Sequence, residues 1–568
     1  MKFALPSFFR PKLFDLCSGK ERYSRQTFTA DLTAGVVVGI VALPLAIAFG
    51  IASGVTPQQG IITAIVAGFL ISFFGGSHYL IGGPTGAFIV IVYGIVQQYG
   101  MNGLIVATLL AGVMLVVMGV VKLGSVIKYI PYPIIVGFTG GIAVVIFSTQ
   151  MNDFFGLGLA NQPVDFIPKW GLIFKNLYKI DIWTTLMSLV SVAVIFIWPR
   201  YNKKLPGSLI ALIVMTGISL LLTRFCGIHL DTIGTKFPEL AGGVPLPKAE
   251  TLNIDMEAIR HLFQPAFTIA MLCAIESLLA AMVADGVTGK KHNSNTELIG
   301  QGIANIITPL FGGIPATGAI ARTMTNINNG GKSPVAGLIH AGVLLLIFIF
   351  LMPYAVHIPL SCLAGILVVV AYNMSEWRAF RYLLKGDKTD VAVLLVTFGL
   401  TVLIDLTVAI ELGLVLAVVS FLKRVSDTSS IKEVRRDLFA TENEEAVDPE
   451  VLHIPLGVEV YEIDGPFFFG LANKFDDVEH NVPHKKMKIR IIRMRKVPFI
   501  DSTGLNNLRN LWRRSKAAKI QVILSGVNEQ VRASLERSGF ADELGMEYIC
   551  PHISVAMAKA EELILSNT

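Results

Sequence analysis

The chain is poor in charge and in the residue patterns that enzymes use. Only 15% of its 568 residues are Asp, Glu, Lys or Arg, whereas 53% are hydrophobic. Its five cysteines are scattered, without the paired spacing of a metal site or a redox motif. The sequence also lacks a nucleotide-binding loop and a paired nucleophile and base. We therefore predict a membrane protein that is not an enzyme and holds no metal or cofactor.

Hydrophobicity is unevenly distributed along the chain. Residues 28–425 form a series of apolar runs with short polar connections, which predicts a multi-pass transmembrane domain. A basic tail, 1–27, precedes it and a charged linker with a short helix, 426–450, follows it. Residues 451–568 alternate strand-like and helical patterns, which predicts a soluble α/β domain.

The net charge of +6 reflects membrane orientation. Lys and Arg gather in alternate connections, such as those around Lys122, Lys204 and Lys290, whereas the short intervening connections near Thr56, Met101, Tyr354 and Leu406 carry none. The longer outer connections do carry Lys and Arg, but long loops count little for orientation. This positive-inside pattern puts both termini in the cytoplasm. It explains the basic balance without a nucleic-acid partner.

Two membrane segments are broken by Gly and Pro, one in each half of the apolar region. They cover residues 82–88 and 312–322, and each is the third segment of a set of about seven. An odd number of segments per set inverts the second set relative to the first. We therefore predict a membrane all-α fold built as two inverted repeats.

Helices that begin in mid-membrane leave their first N–H groups unpaired, and their dipoles point a positive end into the interior. One would start at Pro84 and the other within residues 316–319, which together form an anion site. Thr85 could add a hydroxyl. Phe49 and Phe88 are either apolar walls of this site or ordinary packing residues.

Two charged residues lie at membrane depth. Arg322 either adds positive potential to the anion site or extends toward the cytoplasmic surface. Glu276, midway along the eighth segment, is either a carrier of the coupling proton or cation, or a structural partner of Arg322 or a backbone N–H.

In the soluble domain, Asp501-Ser502-Thr503-Gly504 stands at a strand-to-helix junction. Asp501 or Ser502 could cap the helix. The alternative is that Ser502 is a phosphorylated, regulatory residue.

These residues resemble the SulP (sulfate permease) family of anion transporters, bacterial type, with a C-terminal STAS domain. The resemblance covers nearly the whole chain. The motif at Asp501 supports it. It is strongest in four other motifs: Ile275-Glu276-Ser277-Leu278-Leu279, Asn295-Thr296-Glu297-Leu298, residues 311–322 and Lys332-Ser333-Pro334. It implies about fourteen transmembrane segments, core and gate subdomains, an elevator-type movement and a homodimer.

The resemblance also implies a substrate site and a coupling residue. The coupling residue is Glu276, and the substrate site falls on Phe49, Thr85, Gly86, Ala87, Phe88, Gly318, Ala319, Ile320, Ala321 and Arg322. Sodium-coupled bicarbonate members have two threonines where this chain has Ala280 and Ile320, so two hydroxyl ligands are lost. Leu45 and Ala321 depart from many animal and plant members, which weakens a specific assignment to sulfate.

We therefore predict a secondary transporter of the bacterial inner membrane that takes up a small anion, most plausibly a dicarboxylate, with a proton. Bicarbonate or sulfate transport, coupled to sodium or protons, and anion exchange are the alternatives. An anion channel and an anion sensor are two further classes that the same residues would suit.

Overall fold

A computed structural model describes residues 9–17, 23–127, 131–159, 162–202, 206–238, 243–247, 256–404, 406–434, 454–469 and 487–566. The chain divides into two compact units, Met1–Ala417 and Val418–Thr568. The predicted linker falls largely on residues 435–450, which lie outside the described ones, as does part of the predicted tail. The predicted domain limits at 28, 425 and 451 stay predictions.

The first unit is built from helices. In chain order they are α1 Lys12–Cys17, α2 Arg25–Ala52, α3 Pro57–Phe74, α4 Ile89–Val120, α5 Gly124–Ile127, α6 Tyr132–Phe155, α7 Phe166–Lys175, α8 Ile182–Ile197, α9 Gly207–Leu221, α10 Ile233–Lys236, α11 Met256–Thr288, α12 Ser294–Ile307, α13 Ile320–Asn328, α14 Val335–Leu351, α15 Leu360–Met374, α16 Trp377–Leu383, α17 Lys388–Leu403 and α18 Leu406–Thr428. The apolar runs of residues 28–425 fold mainly as helices, although the two broken segments begin as strands. Within the described residues, nine helices are long and apolar enough to cross a membrane. The number fourteen stays a prediction.

The long helix α4 contains two of the predicted segments. Gly100 interrupts it with a φ of +69°, a conformation that favours glycine. The first broken segment and the segment that follows it in the chain are therefore joined as one helix, which is kinked at Gly100.

The helices of the first unit pack in two groups. In one, α4 packs on α11 and α12, and α14 packs on α2 and α3. In the other, α6 packs on α15 and α17, and α8 packs on α9 and α15. We call these the first and second helix groups. They match the two subdomains that the family resemblance implies.

The two broken segments meet inside the first helix group. Strand β1, Gly82–Gly83, pairs antiparallel with strand β2, Thr317–Gly318. Each strand leads directly into a helix, so the two helices start from a shared backbone crossing. The glycines and prolines predicted both breaks, but not their pairing.

The second unit contains a five-stranded sheet. Its order is β3 Ser430–Val434, β4 Val458–Asp464, β5 Ile489–Lys496, β6 Gln521–Ser525 and β7 Ile549–Cys550, in which only β3 runs antiparallel to its neighbour. Its helices are α19 Ser502–Ala517, α20 Glu529–Arg537, α21 Phe540–Leu544 and α22 Ile553–Ser566. The predicted α/β fold is confirmed.

One part of the predicted linker is corrected. Residues Ser430–Val434 form a sheet strand, because Ile431 and Val434, which are three positions apart and so face opposite sides of the strand, pack against the two apolar cores of the unit. The charged residues between them had suggested a linker.

Candidate functional site

The crossing of β1 and β2 is held in place by neighbouring helices. The Thr317 hydroxyl donates to the Cys273 carbonyl on α11 at 3.0 Å, and the Ala319 N–H donates to the Ile81 carbonyl at 2.9 Å. Asn305 on α12 both donates to and accepts from the backbone of Ala316, at 2.8 and 2.9 Å. The crossing is therefore a rigid backbone element inside the apolar core.

Two helix starts face this crossing. A 3-10 turn, Gly86–Phe88, leads into α4, and Ala319 precedes α13. Neither start is capped by a side chain. Their N-terminal dipole ends are therefore available to a negatively charged group. The start at Ala319 falls within the predicted residues 316–319, whereas the start predicted at Pro84 lies at Gly86, because the backbone at Thr85 is still extended.

Glu276 reaches this place from the middle of α11. The Thr85 hydroxyl donates a hydrogen bond of 2.8 Å to its Oε2. Thr85 is buried, whereas Glu276 keeps part of its surface exposed. The structure thus brings together a predicted substrate residue and the predicted coupling residue, which are 191 positions apart.

Arg322 lies behind the crossing. Its Nη2 donates to the Pro84 carbonyl at 2.9 Å, and only 2% of the residue is exposed. A side chain at Gly83, whose φ is +152°, would bring Cβ within 2.2 Å of Arg322 Nη1. The alternative that Arg322 extends to the membrane surface is wrong, because the guanidinium is enclosed and holds the loop before α4.

The remaining predicted residues differ in their surroundings. Phe49, Ala87, Phe88 and Ala319 are buried, Ile320 is half-buried and Ala321 is exposed. A Cβ at Gly86 would lie 2.8 Å from Met374 Sδ, 3.2 Å from Ile146 Cδ1 and 3.6 Å from Phe49 Cε1. Gly86 therefore faces Ile146 and Met374 of the second helix group. Sequence reasoning missed both, since they look like any apolar residue of a membrane helix.

Ala280 and Ile320 share apolar surroundings. Ala280 is buried in a cluster with Leu80, Ile71 and Ala316, and Ile320 packs against that cluster. Apolar side chains thus occupy the two positions where the sodium-coupled relatives have hydroxyls. In the described part of the chain, no group of three or more His, Cys, Asp or Glu side chains is arranged to hold a metal ion.

Two further carboxylates anchor the connections around the broken segments. Glu297 Oε2 accepts from the N–H groups of Gly76 and Ser77, at 2.8 and 3.1 Å. Asp31 Oδ1 accepts from the N–H groups of Lys332 and Ser333, at 2.6 and 3.1 Å. Glu297, Lys332 and Ser333 belong to the motifs quoted above, but the sequence showed no role for them.

In the second unit, Asp501 is the helix cap. Its carboxylate accepts from the Gly504 N–H at 2.7 Å and the Phe469 N–H at 3.2 Å. Ser502 is exposed at the first position of α19. The capping interpretation is confirmed for Asp501, and phosphorylation of Ser502 stays a prediction.

Paired helix starts beside a partly exposed carboxylate, inside a bundle of membrane-spanning helices, define a transport protein for small anions. The model of the Sulfate permease family matches residues 28–397, and that of the STAS domain matches residues 451–556. The chain belongs to the sulfate permease family and is a multi-pass membrane anion transporter.

Relatives and a solved structure agree with this assignment. YvdB of Bacillus subtilis, which carries a sulfate-transporter name, is 41% identical over 530 residues, 93% of this chain and 97% of that protein. The bicarbonate transporter BicA of Synechocystis is 32% identical over 504 residues, 84% of each chain. The murine Slc26a9 anion transporter structure has a TM-score of 0.84 at 18% identity, covering 99% of this chain and 96% of that one, and so shares its fold.

Proposed function

We propose that this transporter takes up a small inorganic oxyanion, sulfate or bicarbonate, together with a proton carried by Glu276. The anion is held at the helix starts of α4 and α13. The first helix group moves against the second as an elevator, carrying the occupied site across the membrane. The proposal gives inorganic oxyanions precedence over the dicarboxylate expected from the sequence.

The observation that carries this proposal is the hydrogen bond from Thr85 to Glu276. A negatively charged Glu276 repels an anion at the adjacent helix starts, whereas a protonated Glu276 does not. Proton and anion therefore favour each other's binding, and by linkage the effect is reciprocal. This is the thermodynamic requirement for symport.

The apolar cluster around Ala280 and Ile320 supports protons as the coupling ion. A hard cation such as sodium needs several oxygen ligands, and apolar packing at these positions offers none. A proton needs only the carboxylate itself.

Two observations support a compact inorganic anion. The names of the relatives refer to sulfate and to bicarbonate. The side chains of Met374, Ile146 and Phe49 also lie close to Gly86, and this crowding favours a compact anion.

Uptake by the purified protein in proteoliposomes tests the proposal. Labelled sulfate and bicarbonate should accumulate when an inward proton gradient is imposed, without sodium, and unlabelled oxalate, succinate and fumarate should compete poorly. Glu276→Gln should lose the response to the gradient. Sodium-dependent uptake that ignores pH would contradict the coupling, and strong competition by succinate would restore the dicarboxylate.

The same preparation separates the other classes. A channel would pass uncoupled current without accumulation, and a sensor would bind the anion without flux. An exchanger would require a counter-anion inside the vesicles.

The assembly and orientation are part of the proposal. Both termini lie in the cytoplasm of a bacterial cell, and the STAS domain regulates transport or contributes to a homodimer. Protease digestion of terminal tags in sealed vesicles would test the orientation, and cross-linking in membranes would test the dimer.

A further inference from the structure

Helix α7 carries a lysine whose surroundings are unusual for a charged group. Lys169 is 3% exposed. Within the described part of the chain it forms no ion pair or side-chain hydrogen bond. Its ammonium lies 5.9 Å from the ring centroid of Tyr93 on α4. A cation–π contact offsets only part of the cost of burying a charge, and Asp165, whose charge acts on the ammonium, forms no ion pair with it.

The packing of α7 explains why Lys169 points toward α4. Trp170 stacks on Phe147 of α6, with ring centroids 6.5 Å apart, and Ile173 packs in a cluster with Met151. These contacts fix α7 to the second helix group. Lys169 instead extends to Tyr93 in the first helix group, so it lies where the two groups approach each other.

A cavity of about 640 Å³ adjoins this place. It lies between α4 and α11 on one side and α6 and α17 on the other, and its lining includes Val90, Gln97, Asp165 and Gln264. Tyr93 stands three residues after Val90 and four before Gln97, so it is on the same side of α4. Asp165 is one turn before Lys169 and is exposed.

The cavity leads toward the proposed central site. Val90 is two residues beyond Phe88, and Tyr93 is five residues beyond it, about 8 Å along the helix axis. Lys169 and Tyr93 are not among the residues that line the cavity, but Asp165 and Phe166, four and three residues before Lys169, are. An anion in the cavity would therefore lie beside α7 before it reaches the helix starts of α4 and α13.

We propose that Lys169 forms a second anion site, at which a small oxyanion such as sulfate binds before it passes to the central site. The inference rests on the proposed central site for the direction of passage, but not for the binding itself. The anion supplies the direct ion pair that Asp165 does not form with the ammonium. A positive charge in a low-dielectric cleft also raises the local concentration of anions.

Burial lowers the pKa of Lys169 to about 8, although the nearby charge of Asp165 opposes this effect. The other groups around α7 leave Lys169 as the titrating cation. Tyr93 faces it from α4, His261 lies across the cavity on α11, and Asp153 of α6 pairs with Lys236 at 3.7 Å. The last two turns of α17 carry no charge.

The test compares the KM for labelled sulfate, with equal pH on both sides of the vesicle, in the wild type, Lys169→Gln, Lys169→Arg and Lys175→Gln. Lys175 is an exposed lysine of the same helix and serves as the matched control. Sulfate keeps its charge over this pH range, so a change in KM reports on the protein. Dividing the wild-type KM by the KM of Lys169→Arg at the same pH removes the effect of other titrating groups.

With a pKa of about 8, the charged fraction of Lys169 falls about tenfold between pH 7 and pH 9. The wild-type KM should rise by about the same factor, relative to Lys169→Arg, whose guanidinium stays charged. Lys169→Gln should have the high KM at every pH, and Lys175→Gln should behave like the wild type. An unchanged KM in Lys169→Gln at pH 7, or a constant ratio of wild type to Lys169→Arg, overturns the proposal.

A second measurement does not depend on transport. Trace acylation of the full-length protein, read by mass spectrometry, gives the reaction rate of each lysine with and without sulfate. Sulfate should slow acylation of Lys169 severalfold and leave Lys175 unaffected. If sulfate protects Lys169 from acylation but is not taken up, the second site is supported and the central site is refuted. If sulfate is taken up but does not protect Lys169, the central site is supported and the second site is refuted.

Discussion

Gly83→Ala is the substitution that most directly tests the geometry behind the central site. The added Cβ would lie 2.2 Å from Nη1 of Arg322, and the φ of +152° is one that side chains rarely adopt. The guanidinium has nowhere to retreat, because it is 2% exposed and already donates to the Pro84 carbonyl. Alanine at this position must therefore shift either the strand or the arginine.

The expected cost has two parts. Backbone strain at such a position is about 1–3 kcal/mol. Displacing Arg322 from Pro84 removes a hydrogen bond to a charged group, about 1.5–3 kcal/mol. Together they amount to roughly 3–6 kcal/mol, a large part of the total stability of an ordinary domain. We expect a melting temperature lower by several degrees and uptake reduced about 100-fold or more, because the loop that starts α4 loses its position.

The assay pairs thermal unfolding of the detergent-solubilised protein with uptake in proteoliposomes. Gly342→Ala is the matched control, since a Cβ on this glycine of α14 meets no atom within 4 Å. Arg322→Met should remove the obstacle, so that adding Gly83→Ala to it costs only the backbone strain. The reasoning is refuted if Gly83→Ala and Gly342→Ala have the same melting temperature and the same uptake.

Three further predictions follow from single contacts. Thr85→Val should lower uptake about tenfold, because leaving a carboxylate without its hydrogen bond costs about 1–3 kcal/mol. Thr85→Ser keeps the hydroxyl and should retain most of the uptake. Equal uptake by the two variants would contradict the role of the hydroxyl. Burial, with help from Asp31, raises the pKa of Tyr23 to about 12. This contribution to stability is complete below pH 10 and is lost as the pH rises to 12, so Tyr23→Phe should show a smaller loss of melting temperature between these values than the wild type. In the second unit, Arg490→Met should destabilise that unit by about 3–5 kcal/mol, because it leaves the carboxylate of Glu459 buried and without its ion-pair partner. Adding Glu459→Leu to this variant should recover much of the lost stability. Chemical denaturation of the full chain would measure both effects.

Local signals predicted most of the fold. Apolar runs of membrane length and Gly–Pro breaks are properties of consecutive residues, so the transmembrane helices and both interruptions could be placed from the sequence. The missed elements have mixed patterns. Helix α7 combines Pro, Trp and Lys within ten residues, a composition typical of a connection, although its Trp170 and Ile173 pack into the helix bundle. Strand β3 was missed because charged residues stand beside its two packing positions.

The sequence alone determined that this protein is a membrane anion transporter with an α/β domain, since residue types, their periodicity and short motifs carry that information. The tertiary structure decided what the site residues do. Only the fold joins Thr85 to Glu276, encloses Arg322 behind Gly83 and brings Ala280 and Ile320 to one apolar cluster. These contacts connect residues far apart in the chain, and their geometry depends on how whole helices pack, which no local pattern records.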